Sequence, residues 1–219
     1  MTTPAEMSDL DRLVAEADIR QLVARYAVAL DRRDLDALVA LFVPDVHVGK
    51  GIRGHAALRE GFDSQLRTVG MTVLNVGTHQ IDLTGPEDAT GHVYCKAEIQ
   101  DGDRWIHQAI RYDDTYSRVD GAWRFVQRLH LLFYGAEVGV NPLGLPPADW
   151  PTNHDGLGTL PHDDPSWQAF PLNDPDEAST WAPRPAMSHA IQPLADKAAR
   201  RPGWHRPGRR TPDRRHDPA

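Results

Sequence analysis

Up to Leu66 the apolar residues of this chain recur at helical spacing, and from Thr72 to Leu132 they alternate with polar ones. That switch of period constrains the fold more than any other feature. A 3.6-residue repeat buries one stripe of a helix, whereas a two-residue repeat buries one face of a sheet. Ser8 with Asp11 resembles a capping box, and Ile19, Leu22, Val23, Tyr26, Ala27 and Leu30 form one stripe behind it. Asp34 predicts the start of a second helix carrying Leu35, Leu38, Val39 and Phe42. A third runs from His55 to Leu66 with Ala57, Leu58 and Phe62. Strands are expected over Thr72–Leu83, Ala89–Gln100, Arg104–Arg118 and Ala122–Leu132. They are divided by Gly85-Pro86-Glu87-Asp88 and by the hairpin pairs Asp101-Gly102 and Asp120-Gly121. Helices first and a meander after them predict an α+β fold with the helices on one face of a curved antiparallel sheet.

Composition sets the boundaries. Fifteen of the 18 prolines follow residue 141, so the folded domain is expected over 1–135, a proline- and tryptophan-rich extension over 136–195, and a basic disordered tail over 196–219. Residues 197–219 carry eight Lys or Arg against Asp213 and Asp217, which leaves the rest of a chain of net charge −7 strongly acidic. An acidic body repels phosphate backbones, so nucleic acid is not an expected partner. The apolar runs are too short to cross a bilayer and the N-terminus lacks an apolar leader, which predicts a cytoplasmic protein with no membrane partner. The single cysteine, Cys95, alternates with Val93 and Ala97 and reads as a core residue. His154-Asp155 and His162-Asp163-Asp164 match no metal spacing, and there is no phosphate loop or dinucleotide fingerprint, so neither metal nor cofactor is expected. Asp113 and Asp114 read as flanking a turn or as partners for Arg111 or Arg128, rather than as a carboxylate dyad. Trp150, Trp167, Phe170 and Trp181 make the extension too apolar for a free linker, and it is expected to pack on the body or on a partner subunit.

The run from Arg25 through Asp31 and Asp34 to Leu38, followed by Leu41-Phe42 and Pro44-Asp45-Val46, resembles the opening of SnoaL-like proteins. So does Tyr112-Asp113-Asp114-Thr115-Tyr116 leading into Asp120-Gly121-Ala122-Trp123-Arg124-Phe125 and Arg128. These proteins belong to the superfamily of nuclear transport factor two. The resemblance implies a cone in which a bent antiparallel sheet wraps three helices and leaves an apolar pocket at the wide end.

In the dehydratase and dehydrochlorinase branches of that superfamily, an Asp at the end of the first helix pairs with a His on the first long strand. Asp31 matches the Asp. The usual His, three residues, Asn is exchanged here to Asn75-Val76-Gly77-Thr78-His79, so Asn75 stands where the resemblance places the His. Four residues apart on a strand, Asn75 and His79 are expected to share a face, separated by about 13 Å at roughly 3.3 Å per residue unless a bulge intervenes, for which Gly77 is the candidate. The catalytic candidates are Asp31, His79 and His130. Tyr26, Asn75, Tyr112 and Arg128 are candidates for holding substrate. A carboxylate desolvated in an apolar pocket gains a pKa useful for proton transfer. Arg128 needs an acidic partner or an anionic ligand if buried.

Two functions follow from the resemblance. One is a cofactor-independent dehydratase, isomerase or cyclase acting on an apolar, oxygenated ring, with a homodimer as its assembly. The other is a non-catalytic ligand-binding or accessory subunit on the same fold.

Overall fold

The computed structural model describes residues 7–49, 51–159, 164–170 and 189–190. His162, Trp181 and the basic tail lie outside the described residues. Three helices open the chain: α1 (Asp9–Asp31), α2 (Leu35–Ala40) and α3 (His55–Leu66). A short hairpin of β1 (His47–Gly49) and β2 (Ile52–Arg53) stands between the last two. The Ser8 Oγ accepts from the Asp11 N–H at the start of α1, and the Asp34 carboxylate accepts from the Ala37 N–H at the start of α2. Four long strands follow: β3 (Thr72–Leu83), β4 (Asp88–Asp101), β5 (Arg104–Val119) and β6 (Ala122–Glu137). They pair in chain order, all antiparallel. The short β7 (Gly156–Leu157) and β8 (His189–Ala190) both add to β6, and α4 (Pro165–Gln168) lies between them in sequence. Among the described residues no helix is long and apolar enough to cross a membrane.

The alternation has the expected consequence on β4, where Ala89, Gly91, Val93, Cys95, Ala97 and Ile99 are buried and the residues between them mostly face outward. The core lies between this inner face and the helices, with Ile19, Leu38, Phe42, Tyr116 and Phe125 almost wholly enclosed. Two one-residue slips on β6, opposite Ala109–Ile110 and Thr115–Tyr116, insert extra residues on that strand. Bulges of this kind increase local twist and bend a sheet around its contents.

One slip on β3 decides what that strand offers the interior. Val76 pairs with Cys95 and His79 with Val93, so three steps on β3 match two on β4. Gly77 and Thr78 form the bulge. Before it Thr72, Leu74 and Val76 face inward; after it His79, Ile81 and Leu83 do. Asn75 is thereby turned to the exposed outer face. Its assignment as a pocket residue is corrected: the bulge reverses the parity between positions 75 and 79.

Beyond β6 the chain turns through a 3₁₀ segment (Pro142–Gly144) and comes back as a strap. Gly156 and Leu157 pair with Gly135 and Tyr134, the Gly158 N–H donates to the Phe133 carbonyl at 2.9 Å, and the Ala148 N–H donates to the Leu157 carbonyl at 2.7 Å. Side chains add to this. Gln108 Nε2 donates to the His154 carbonyl at 2.7 Å, and Arg104 bridges Asp155 at 2.8 Å. The close approach depends on Gly135, where a Cβ would overlap the His154 carbonyl oxygen and press on the Asp155 backbone. Gly135→Ala is expected to weaken strap docking by about 2–3 kcal/mol, the upper range for overpacking. Limited proteolysis reads this as cleavage within 145–158 at least tenfold faster than in the wild type. Unchanged protection would mean that strap and strand separate without cost.

Candidate active site

A cavity of about 200 Å3 lies between the sheet, the end of α1, the end of α3 and the strap. Its walls are mainly apolar: Leu30, Phe62, Leu66, Val69, Leu74, Ala97, Ile99, Ile110 and Trp150. Polar groups reach it from several directions, Thr72 from β3, Gln108 and Tyr112 from β5, His130 from β6 and His154 from the strap. The convergence on the sheet follows from register. Tyr112 and His130 are cross-strand partners, and Gln108 lies four residues before Tyr112 on the same face. Tyr112 and His130 meet edge to face at 5.5 Å, and the His130 ring is stacked on the Trp150 indole at 4.0 Å with 9° between the planes.

Tyr26 and Tyr112 form the cavity floor, 6.1 Å apart between ring centres. Burial pushes the Tyr26 hydroxyl up to about 12 and the Tyr112 hydroxyl well above the usual phenol range, so both stay protonated donors at neutral pH. Arg128 lies against these rings. Its guanidinium carbon is 4.3 Å from the Tyr26 centroid, 4.4 Å from that of Tyr112 and 4.3 Å from that of Phe125. Its charge is met by Asp114 through a two-point bridge, Nε to Oδ1 at 2.8 Å and Nη2 to Oδ2 at 2.5 Å, with neither side chain exposed. Arg128 does not line the cavity. Its assignment as a substrate-binding residue is corrected, because the acidic partner that a buried Arg needs is supplied from the neighbouring strand.

The same carboxylate organises His79. The Tyr116 hydroxyl donates to Asp114 Oδ2 at 2.7 Å, and His79 Nε2 lies 3.1 Å from the Tyr116 oxygen. With the phenol's proton committed to Asp114, the imidazole acts as donor, in the neutral tautomer protonated at Nε2. Burial lowers the His79 pKa to about 4; Asp114 pulls it up, and Arg128 and Arg20 push it down. The unfolded chain binds this proton more tightly than the folded one. The stability contributed by the neutral ring is therefore complete above about pH 6.5 and is lost as the pH falls toward 4. Urea unfolding at pH 7 and pH 5 is expected to show a smaller loss in His79→Gln than in the wild type. Equal losses would remove His79 from the acid response.

Asp31 ends α1 at the edge of the cavity. Its Oδ2 accepts from the Leu74 N–H at 3.0 Å and its Oδ1 from the Thr72 hydroxyl at 3.2 Å. Arg33 stands beside it in the left-handed region at φ 59°, a position that normally favours glycine. Three acceptors hold it there: the Leu30 carbonyl, the Thr72 hydroxyl and the Gly70 carbonyl. Asp31 and Arg33 thus clasp the start of β3 to the end of α1. Of the two proton partners expected for Asp31, His79 and His130, the first is not paired with it, because Asp31 is bonded to the start of β3 and His79, beyond the bulge, to Tyr116. The inward position next to Asp31 is occupied by Leu74.

Of the seven candidates, Tyr26, Tyr112 and His130 meet in the cavity; Asp31 borders it; His79 and Arg128 join Asp114 and Tyr116 in a separate buried cluster; Asn75 faces outward. Gln108, Trp150 and His154 were not among them. Gln108 carried a signal, as a polar residue at an inward position between Ile106 and Ile110. Trp150 carried one as an aromatic in a proline-rich segment. His154 carried none beyond its residue type.

Comparison with known proteins agrees with this architecture. The SnoaL-like domain model matches residues 11–129. An uncharacterized protein of Mycobacterium tuberculosis is 26% identical over 137 residues, covering 59% of this chain and 88% of that protein. The gamma-hexachlorocyclohexane dehydrochlorinase of Sphingobium indicum is 26% identical over 129 residues, 56% of this chain and 83% of that protein. The crystal structure of LinA superposes with a TM-score of 0.55 at 23% identity, covering 62% of this chain and 97% of that one, which is a likeness of fold. With more than half of its length matched by the family model and its sheet and helices in the corresponding arrangement, the chain belongs to the SnoaL-like domain family.

Proposed function

We propose that this protein catalyses a cofactor-independent proton transfer on a small, largely apolar, oxygenated ring molecule, giving a dehydration, isomerisation or cyclisation. The observation that supports this reading best is the convergence of His130, Tyr112 and Gln108 on a mainly apolar cavity. His130 is the proton-transferring group. Tyr112 and Gln108 hold a substrate oxygen and stabilise charge as it develops there, which donors do more effectively in a dry pocket than in water. Tyr26 shapes the floor. Asp31 acts through the wall, fixing Thr72 and Leu74, rather than as the base itself. The Sphingobium relative, a dehydrochlorinase by name, supports a reaction of the elimination class. The homodimer expected of this fold is assigned to the outer face of the sheet, where Val73 and Tyr94 are exposed.

The unassembled Asp31–His79 pair favours a second reading, ligand binding without turnover. One experiment separates the two. The protein is incubated in D2O with a panel of monocyclic and bicyclic ketones, and exchange of the protons next to the carbonyl is followed by NMR. The catalytic reading expects exchange that depends on His130. Saturable binding across the panel with exchange no faster than in buffer would establish the binding role.

A further inference from the structure

The stack of Trp150 on His130 connects two parts of the chain with different standing. His130 is on β6, immediately after the segment that the family model matches, and Trp150 is on the strap about twenty residues beyond it. The strap is held independently of that stack, by the β6–β7 ladder, by the Gln108 bond to the His154 carbonyl and by the Arg104–Asp155 bridge. The indole is therefore delivered to the imidazole by a fixed support. At 4.0 Å and 9° the contact is face to face, so it restrains the plane of the imidazole, and hence the directions along which its nitrogens point, without occupying either nitrogen.

We infer that Trp150 is a positioning residue for His130, which clamps the plane of the imidazole and favours its protonated form through contact with the indole face. The functional weight of this role rests on the reading of His130 as the proton-transferring group; the physical effect on His130 does not. An aromatic face attracts a cation, and indole does so most strongly. Stacking thus stabilises imidazolium relative to imidazole and raises the pH at which the ring gives up its proton. Among the described residues, the other titratable and charged groups near His130 are Tyr112 on β5, Tyr26 on α1, Arg128 two residues back on β6 with its partner Asp114, and His154 on the strap. All of these remain when only Trp150 is changed.

The test is an NMR titration of the His130 ring in the full-length chain, assigned by comparison with His130→Gln. In the wild type the ring protons are expected upfield of an ordinary histidine by the indole ring current, a measurement that needs no Trp150 variant to fold. Trp150→Leu keeps an apolar side chain but has no π face, and it is expected to lose the upfield shift and lower the titration midpoint by about 0.5–1 pH unit. Trp150→Phe keeps a face and is expected to retain most of both. Ordinary ring shifts in the wild type, or Leu and Phe variants that move the midpoint equally, would overturn the inference. Failure of His130→Gln to affect exchange of the ketone panel would instead remove the catalytic reading and leave the stack standing.

Discussion

Asp114→Ala is expected to lower the unfolding free energy by about 3–5 kcal/mol, and the melting temperature by roughly 6–20 °C for a chain of this size. The reason lies on both sides of the carboxylate. Arg128 is fully buried, and Asp114 makes a two-point bridge to it. Burial alone would pull the guanidinium's pKa down; Asp114 reverses that and raises it, so the charge stays on the guanidinium in the folded protein. Without the carboxylate, a full positive charge is left among the rings of Tyr26, Tyr112 and Phe125, whose attraction is worth far less than an ion pair. Tyr116 loses its acceptor in the same step. The double change Asp114→Leu with Arg128→Met removes both charges and is expected to recover most of the loss, because a buried pair replaced by apolar groups of similar volume is often near neutral. Urea unfolding of the two variants makes the comparison. A single variant within 1 kcal/mol of the wild type would mean that the guanidinium reaches another counter-charge or water.

His130→Gln is expected to slow proton exchange on a responsive ketone by about 10²- to 10⁴-fold, the range that one positioned acid–base group supplies. Glutamine keeps an amide of similar reach, so the cavity keeps its volume, and binding of the same ketone should change by less than about threefold. That split distinguishes chemistry from packing: a group that acts only in the transition state lowers turnover and leaves affinity alone. Asp31→Asn is the informative companion. It retains an acceptor for the Leu74 N–H, and on the present reading it lowers exchange far less than the His130 change does. Near-complete loss in Asp31→Asn with His130→Gln unaffected would transfer the proton to Asp31.

The fold was legible because its period is: each helix stripe and each strand face is written in residues that recur at 3.6 or at 2. The candidate site was legible only in part, for two physical reasons. A bulge adds one residue without changing residue types, so spacing alone puts Asn75 and His79 on one face, whereas the pairing with Cys95 and Val93 puts them on opposite faces. Partners across strands are equally invisible to spacing. Arg128 looks the same in sequence whether its carboxylate belongs to a ligand or to Asp114, which is fourteen residues away along the chain and 2.8 Å away across the ladder. Trp150 and His154 reach the cavity because two glycines, Gly135 on β6 and Gly158 on the strap, let the two backbones lie close together.

The bulge at Gly77 and Thr78 also makes β3 two strands joined in series. The first half faces the cavity through Thr72 and Leu74; the second faces the Asp114 cluster through His79. Each half keeps its own parity, so substitutions that reshape the cavity can accumulate on one half while the charged cluster that stabilises the molecule is left untouched on the other. Loss of a single residue at the joint would end that independence by turning one half inside out. The joint is therefore what lets this strand vary its chemistry at one end without endangering its fold at the other.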